Sequence, residues 1–366
     1  MRVALVHDYL TQYGGAERVL EVLHNHFPGA TVYTSIYDPD HLPDSFREWD
    51  IRTSPLQRIP GATVSHRLWT PFYPAIFGHV GFHDIRDADV VIAESSAWAH
   101  HAHPRCNIPV LCYCHSPARF LYGDPNYMDA ARLPNVLRPL TNSVFSGLRW
   151  LDRRAARRLT HVAGNSDAVR QRIERDWGVP ASVLHPPVDV ERFRPSSPVE
   201  PEDWYLVVSR LVPHKWIDRA VRACTTANVP LKVIGSGRSE RELRKIAGPT
   251  IEFLGERRDQ TVVDHMQRCK ALILPGIEDF GMTSVEAQAA GRPVFAARGG
   301  GALESVTEGV SGLFFGPTNE QELVDLLTTE HEWDTNAIQA NATRFSVDVF
   351  LRKLDALVNE VLSEPR

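Results

Sequence analysis

Short, nearly unbroken apolar runs alternate with amphipathic stretches along this 366-residue chain. In the first half the runs are RVALVHDY, TVYTSIY, ADVVIAESS, IPVLCYCH and THVAGNS. Between the first two, Ala16–Phe27 carries apolar residues at 19, 20, 23 and 27, the stripe of an amphipathic helix. A strand that is apolar on both faces must be covered on both faces. Such strands alternating with helices predict a parallel sheet between two helical layers, an α/β fold.

The alternation stops at a proline-rich stretch, HPPVDVERFRPSSPVEPEDW (His185–Trp204), which reads as a linker. It then restarts with WYLVVSRLV, LKVIGSG, IEFLGE, ALILPG, PVFAARGGG and SGLFF, with helical patterns between several of them. The last pattern, Val347–Leu362, is an amphipathic helix. The expected organisation is two doubly wound domains in tandem, 1–195 and 196–345, with a C-terminal helix at 346–366 packing back on the first. Ligands of such sheets bind beyond the carboxyl ends of the strands, so a cleft between the domains is the expected site.

Composition excludes several classes. The 40 Lys and Arg against 45 Asp and Glu leave a net charge of −5, which argues against binding nucleic acid by bulk positive charge. No apolar run approaches the length of about 18 residues that reads as a membrane-spanning helix. The opening MRVALVHDYL reads as a strand, not as a signal peptide. Five cysteines, an odd number, suit reduced thiols in a cytoplasmic setting. Cys106, Cys112, Cys114 and His115 lie close in sequence, and zinc is one reading of them. The other is core packing, because Cys112 and Cys114 fall two apart on one face of a strand, whereas structural zinc pairs sit in turns.

Several loops are candidates for ligand binding. Gly14 and Gly15 stand between the first strand and the first helix, where a missing Cβ lets a ligand approach and the helix N-terminus favours an anion. The other reading is a tight turn between strand and helix. Gly235-Ser236-Gly237 is half of a dinucleotide fingerprint, and Glu240 replaces its third glycine, so it is either a turn offering N–H groups to a phosphate or sugar or a plain tight turn. Arg210 and Lys215, in SRLVPHK from Ser209, follow the first strand of the second half and suit a diphosphate, though loop cations are commonly just solvated. The triplets Asp38-Pro39-Asp40 and Asp87-Ala88-Asp89 could hold a divalent metal, or could be a turn and a polar lead-in to a strand.

The segment EDFGMTSVE carries two glutamates, Glu278 and Glu286, after the strand Ala271–Pro275. Thr283 or Ser284 is the expected cap of a helix that runs to about Ala290 and stops at Gly291. Glu286 would then lie in its first turn, with Glu278 in the loop and Phe280-Gly281-Met282 presenting backbone N–H groups. Compensation of the helix dipole accounts for Glu286 but not for Glu278. Carboxylates accept hydroxyl hydrogens well, so a polyhydroxylated ligand bearing a diphosphate would use both sets of groups. A nucleotide sugar is such a ligand.

These motifs carry a family resemblance. GGAER at 14–18, GNSDAVR at 164–170, SRLVPHK at 209–215, IEDFGMTSVEAQAAGRPV at 277–294 and GGALESV at 300–306 together resemble a GT-B-fold retaining glycosyltransferase of family GT4. The opening HDYLTQYGGAERVLEVL and the stretch YCHSPARFLY are similar to bacterial GDP-mannose-dependent mannosyltransferases of O-antigen and exopolysaccharide assembly. The fold implied is GT-B, two Rossmann-like domains with a cleft between them.

The resemblance also implies roles. Arg210 and Lys215, with Ser209 beside them, would hold the donor diphosphate and stabilise the leaving group. Glu278 would bind donor-sugar hydroxyls with the N–H groups of Phe280, Gly281 and Met282. Glu286 would hold the ribose. Gly14 and Gly15 would let the first loop approach phosphate and acceptor, and His115 would stand by the donor sugar. Gly235 is placed with the donor-binding residues. No metal and no cofactor are implied beyond the nucleotide sugar as co-substrate. The acceptor would be a glycan or a lipid-linked hydroxyl. The arginine-rich stretch Leu148–Leu159 could meet an anionic membrane surface, or could be a solvated helix face, so the protein is expected to be cytoplasmic, and peripheral to the membrane on the first of these readings. Family members often carry a small residue after the loop lysine, where this chain has Trp216. A UDP-sugar donor, an epimerase or phosphorylase of the same fold, and a non-catalytic sugar-nucleotide sensor remain as alternatives.

Overall fold

A computed structural model describes residues 1–80, 85–102, 108–123, 138–257 and 259–363. Its contacts divide the chain into two compact units, Met1–His185 with Leu351–Arg366, and Pro186–Phe350.

In the first unit the described strands are β1 (Val3–His7), β2 (Thr31–Thr34), β3 (Ile51–Thr53), β4 (Val90–Ser95), β5 (Val110–Cys114), β6 (His161–Gly164) and β7 (Ser182–Val183). They form one sheet in the order β3-β2-β1-β4-β5-β6-β7, with every ladder parallel. The chain winds outward from β1 on one side and from β4 on the other. The switch point therefore lies between these two strands, the place where such sheets take ligands. Five of the seven were legible as apolar runs. The short β3 and β7 were not, since IRT and SV are half-exposed edge strands with no apolar run.

In the second unit β8 (Tyr205–Val208), β9 (Leu231–Ile234), β10 (Ile251–Gly255), β11 (Ala271–Leu274), β12 (Val294–Ala297) and β13 (Gly312–Phe315) form a parallel sheet in the order β10-β9-β8-β11-β12-β13. Its switch point lies between β8 and β11. Successive strand residues go to opposite faces: Tyr205, Val207, Ala271 and Ile273 join one buried cluster, and Leu206, Leu272 and Leu274 another. Both faces are covered, as near-continuous apolar strands require.

The stretch His185–Trp204 differs from a free linker. Val188, Val190, Phe193 and Trp204 are buried in the second unit's core, and the Val188 N–H donates to the Phe345 carbonyl at 2.9 Å. The division between units falls at His185–Pro186. Proline richness signals irregular backbone, and the apolar residues between the prolines decide where that backbone packs. The last helix spans Val347–Ser363, and from Leu351 its residues count with the first unit, where Asp355 meets His26 Nε2 at 2.8 Å. Among the described residues no helix is long and apolar enough to cross a membrane.

Candidate functional site

The loops beyond β8 and β11, at the second switch point, carry the candidate cation and carboxylate. Lys215 closes a short 3₁₀ turn, Pro213–Lys215, and Glu278 lies in the loop after β11. Their side chains meet as an ion pair, Lys215 Nζ to Glu278 Oε1 at 2.7 Å, each about one-fifth exposed or less. Arg210 stands exposed on the same β8 loop, next to the half-buried Ser209. The contact of the two loops depends on Gly276: a Cβ there would lie 2.7 Å from the Lys215 carbonyl oxygen.

The residue after Lys215 has an unusual backbone conformation. Trp216 has φ 51° and ψ 34°, the left-handed region that disfavours side chains with a Cβ. The chain accepts tryptophan there, and the Arg219 guanidinium stacks on its ring at 3.7 Å.

The Gly-Gly of GGALESV packs against the Glu278 loop. A Cβ on Gly300 would sit 2.2 Å from the Glu278 carbonyl oxygen, and the Gly301 N–H donates to that oxygen at 3.0 Å. The backbone that holds Glu278 is thereby clamped by the loop after β12. Gly235 has a similar cause. A Cβ on it would lie 1.9 Å from the Ser209 carbonyl oxygen, so the glycine is required by packing against the Arg210 loop, whatever it does for a ligand.

The helix after Glu278 is Met282–Ala289, and its cap differs from the one expected. Gly281, at φ 82°, is the N-cap residue. Ser284 instead turns its hydroxyl back to the Gly281 carbonyl at 2.8 Å. The helix therefore begins earlier than a Thr283 or Ser284 cap would allow. Glu286 falls in its second turn and not in its first, so dipole compensation no longer accounts for it. It is buried, at 4 % exposure. Gly291 does end the helix in the left-handed conformation, φ 78°. Phe280 is buried with its ring 5.3 Å from that of Phe345, so only its backbone is left for a ligand, as the sequence suggests. The first N–H groups of this helix lack intrahelical acceptors, as at any helix start. Gly281 lies close to the carboxylate: a Cβ on it would be 3.8 Å from Glu278 Oε2.

At the switch point of the first sheet the structure shows a network that sequence reasoning missed. His7 ends β1, and its register partner on β4 is Glu94. Glu94 approaches His7 Nδ1 at 3.3 Å through Oε2 and His115 Nε2 at 2.6 Å through Oε1. On its other side His7 Nε2 lies 3.7 Å from Glu17 Oε1. Glu17 in turn accepts the Gly14 N–H at 2.8 Å. Buried groups thus connect the glycine turn to His115 without a break. Burial alone would lower the His7 pKa, but Glu94 and Glu17 outweigh it and raise it from 6.5 to about 10. Burial would raise that of Glu94, but His7 and His115 outweigh it and hold it below the usual carboxylate range. The available signal was a polar residue at the end of each of two apolar runs, His7 and Glu94.

A raised pKa in the folded state means that the fold favours the protonated ring. The stability this confers is complete below pH 6.5 and is lost as pH rises through about 10. Urea unfolding at pH 6, 8 and 10 is expected to show this decline, and His7→Gln should flatten it. Equal declines in both proteins would remove His7 as the cause.

Beside this network Asp8, 2 % exposed, accepts four backbone N–H groups: Ser96 at 2.6, Ala97 at 2.8, Trp98 at 2.6 and Ala99 at 2.6 Å. It fixes the loop that leaves β4.

Other sequence candidates fall elsewhere. Asp38 caps the turn Pro39–His41, and Asp40 pairs with Arg47 at 2.9 Å. Asp89 accepts the Arg2 N–H at 2.7 Å. Cys112 and Cys114 are buried with Val162, Val169, Ile173 and Trp177, and Cys106 lies outside the described residues. The group with metal-ligand spacing among the described residues is a different one, His100, His101 and Asp152. There the carboxylate also accepts from Tyr122 Oη and Trp177 Nε1, both at 2.7 Å, which makes it a buried hub tying three segments together. In the arginine-rich stretch Arg149 and Arg153 turn inward to the carbonyls of Leu121 and Asp176, whereas Trp150, 61 % exposed, stands out with Arg154 over its ring.

Comparison with known proteins bears on the family and the fold. The family model described as Glycosyltransferase Family 4 matches residues 13–192, and that described as Glycosyl transferases group 1 matches residues 189–334. The chain belongs to the family 4 glycosyltransferases. Among curated relatives of this family member, a GDP-mannose-dependent monoacylated alpha-(1-6)-phosphatidylinositol monomannoside mannosyltransferase of Corynebacterium glutamicum is 30% identical over 46% of this chain and 51% of its own. An uncharacterized glycosyltransferase of Methanocaldococcus jannaschii is 32% identical over 32% of this chain and 35% of its own. The chain thus spans between a third and about half of the length of these relatives. Among solved structures, HepE of Anabaena in complex with UDP has a TM-score of 0.68 at 18% identity, covering 98% of this chain and 100% of that one. Sucrose-phosphate synthase of Thermosynechococcus elongatus has a TM-score of 0.72 at 16% identity, covering 99% and 100%. The likeness is one of fold, GT-B with two Rossmann-like units.

Proposed function

We propose that this family 4 glycosyltransferase moves a sugar, with retention, from a nucleoside diphosphate to an acceptor hydroxyl, and that the donor is GDP-mannose. The observation that carries the reading is the Lys215–Glu278 pair at the switch point of the second sheet. A cation and a carboxylate held together on rigid loops match the two halves of a nucleotide sugar. Lys215, with Arg210, takes the diphosphate, and Glu278 takes sugar hydroxyls. Until a donor arrives each satisfies the other's charge.

In the reaction the bond from the anomeric carbon to the diphosphate oxygen breaks on the face where the acceptor oxygen bonds. The leaving phosphate oxygen receives the acceptor proton. Catalysis is then positioning together with stabilisation of the departing diphosphate. Glu286 holds the ribose, the helix start at Gly281 and Met282 offers N–H groups, and His115 with the Gly14–Gly15 turn serves donor sugar and acceptor. The first unit takes the acceptor side and the second the donor side. No metal is required. The acceptor is a glycan or lipid-linked hydroxyl at the cytoplasmic face of a membrane. The mannose assignment draws on the mannosyltransferase relative. The fold neighbour in complex with UDP supplies the competing donor class.

A thermal-shift panel of nucleoside diphosphates and their sugars, without added metal, tests this. A ligand at 100 times its dissociation constant should stabilise the fold by about 2.7 kcal/mol. Stabilisation by GDP and GDP-mannose but not by UDP is the expected result. Stabilisation by UDP species alone would keep the reaction and discard mannose. Silence from the whole panel would remove the donor site.

A further inference from the structure

The buried network of the first unit is unusual in what it spends and in where it ends. Glu17, His7 and Glu94 are at most 3 % exposed. Burying charged groups is costly, and apolar side chains of similar volume would serve packing as well or better. One member reaches the surface: the His115 side chain is 14 % exposed. It does so at the carboxyl ends of β4 and β5, beside the switch point at which such sheets take ligands. His115 is also held at its backbone, its N–H donating to the Ser95 carbonyl at 2.8 Å.

The direction of the key hydrogen bond follows from chemistry. An ionised Glu94 has no proton to give, so at 2.6 Å His115 Nε2 must be the donor. In the neutral ring Nδ1 then carries the lone pair. Among the described residues Nδ1 makes no hydrogen bond within the chain. Glu94 is itself kept ionised and in place by the cationic His7 on the adjacent strand, and Glu17 holds that ring from the other side.

We propose that Glu94, backed by His7, is a positioning residue for sugar transfer: it fixes His115 as the Nε2–H tautomer, so that Nδ1 is presented to accept a hydrogen bond from a substrate hydroxyl. This rests on the glycosyltransferase reading above and adds to it the residues that set the state of His115. A neighbouring carboxylate orients a working histidine in the same way in metal sites, where its loss typically costs 10- to 100-fold.

The test is a double-mutant cycle on the full chain with a labelled sugar nucleotide. Glu94→Gln is expected to lower kcat by at least about tenfold with little change in the donor KM. In a His115→Ala background the same change should cost nothing further, because Glu94 acts through a ring that is gone. An equal loss in both backgrounds, or no loss in either, overturns the proposal. A second readout needs no activity. The imidazole nitrogen resonances of ¹⁵N-histidine-labelled protein, with His115 assigned by its disappearance in His115→Ala, should show a single Nε2–H tautomer. A Nδ1–H ring or a tautomer mixture in the wild-type protein would overturn the assignment. If no sugar nucleotide is turned over, the functional reading falls, and the tautomer still decides whether Glu94 sets the state of His115.

Discussion

Lys215→Ala is expected to lower turnover by about two to three orders of magnitude, as loss of a donor aimed at developing transition-state charge does. Lys215 is placed by three features that the substitution leaves intact: the 3₁₀ turn Pro213–Lys215, the left-handed Trp216 that follows it, and the close approach of Gly276. The loss should therefore be chemical. The Lys215–Glu278 pair is partly exposed, so its removal should change stability by no more than about 1 kcal/mol. Lys215→Arg keeps the charge but spreads it over a planar fork longer than the ammonium, and should restore only part of the rate. The measurement is kcat from release of a labelled sugar, with a thermal melt as control. Turnover within a few-fold of wild type would sink the role of Lys215.

Asp8→Ala has the largest expected effect on stability, a loss of about 3–5 kcal/mol, since each buried donor left without an acceptor costs about 1–3 kcal/mol. Its carboxylate takes four backbone N–H groups within a single loop, three of them on the buried residues Ala97, Trp98 and Ala99. Alanine would leave all four donors without their acceptor, and each buried one carries its own desolvation cost. Asp8→Asn keeps the shape and one acceptor oxygen, so it should lose roughly half as much. Because the chain forms two units, the loss is to be read in the urea transition of the first unit, not in a single global midpoint. A loss below about 1 kcal/mol for Asp8→Ala would mean that the loop finds other acceptors.

The two residues differ in how far they could be read from the sequence. Lys215 and Glu278 were legible because each follows an apolar strand in a motif with a recognisable spacing. Asp8, His7, Glu17 and Glu94 were not. Asp8 stands in the sequence as one more polar residue after a strand, and nothing nearby shows that its partners are 88 to 91 residues away. Glu94 looks like the polar end of an apolar run, although its partner His7 is 87 residues distant. Gly235 was visible as a glycine at a strand end, but the atom that excludes its Cβ, the Ser209 carbonyl oxygen, belongs to another loop. The cap of the helix after Glu278 was misplaced for a smaller reason. Serine and glycine both suit a helix start, and the left-handed Gly281 set the boundary three residues before Ser284.

The sequence by itself determined the α/β class, the two rounds of strand and helix, and the family, because apolar periodicity and loop motifs are local properties of the chain. Only the tertiary structure decided that Lys215 neutralises Glu278, that His7 and Glu94 stand side by side, and that the proline-rich stretch joins the second core. The physical reason is strand order. Which loops meet at the carboxyl edge of a parallel sheet depends on which strands are neighbours and in what register. Those are set by packing both faces of the whole sheet, which no local stretch of sequence contains.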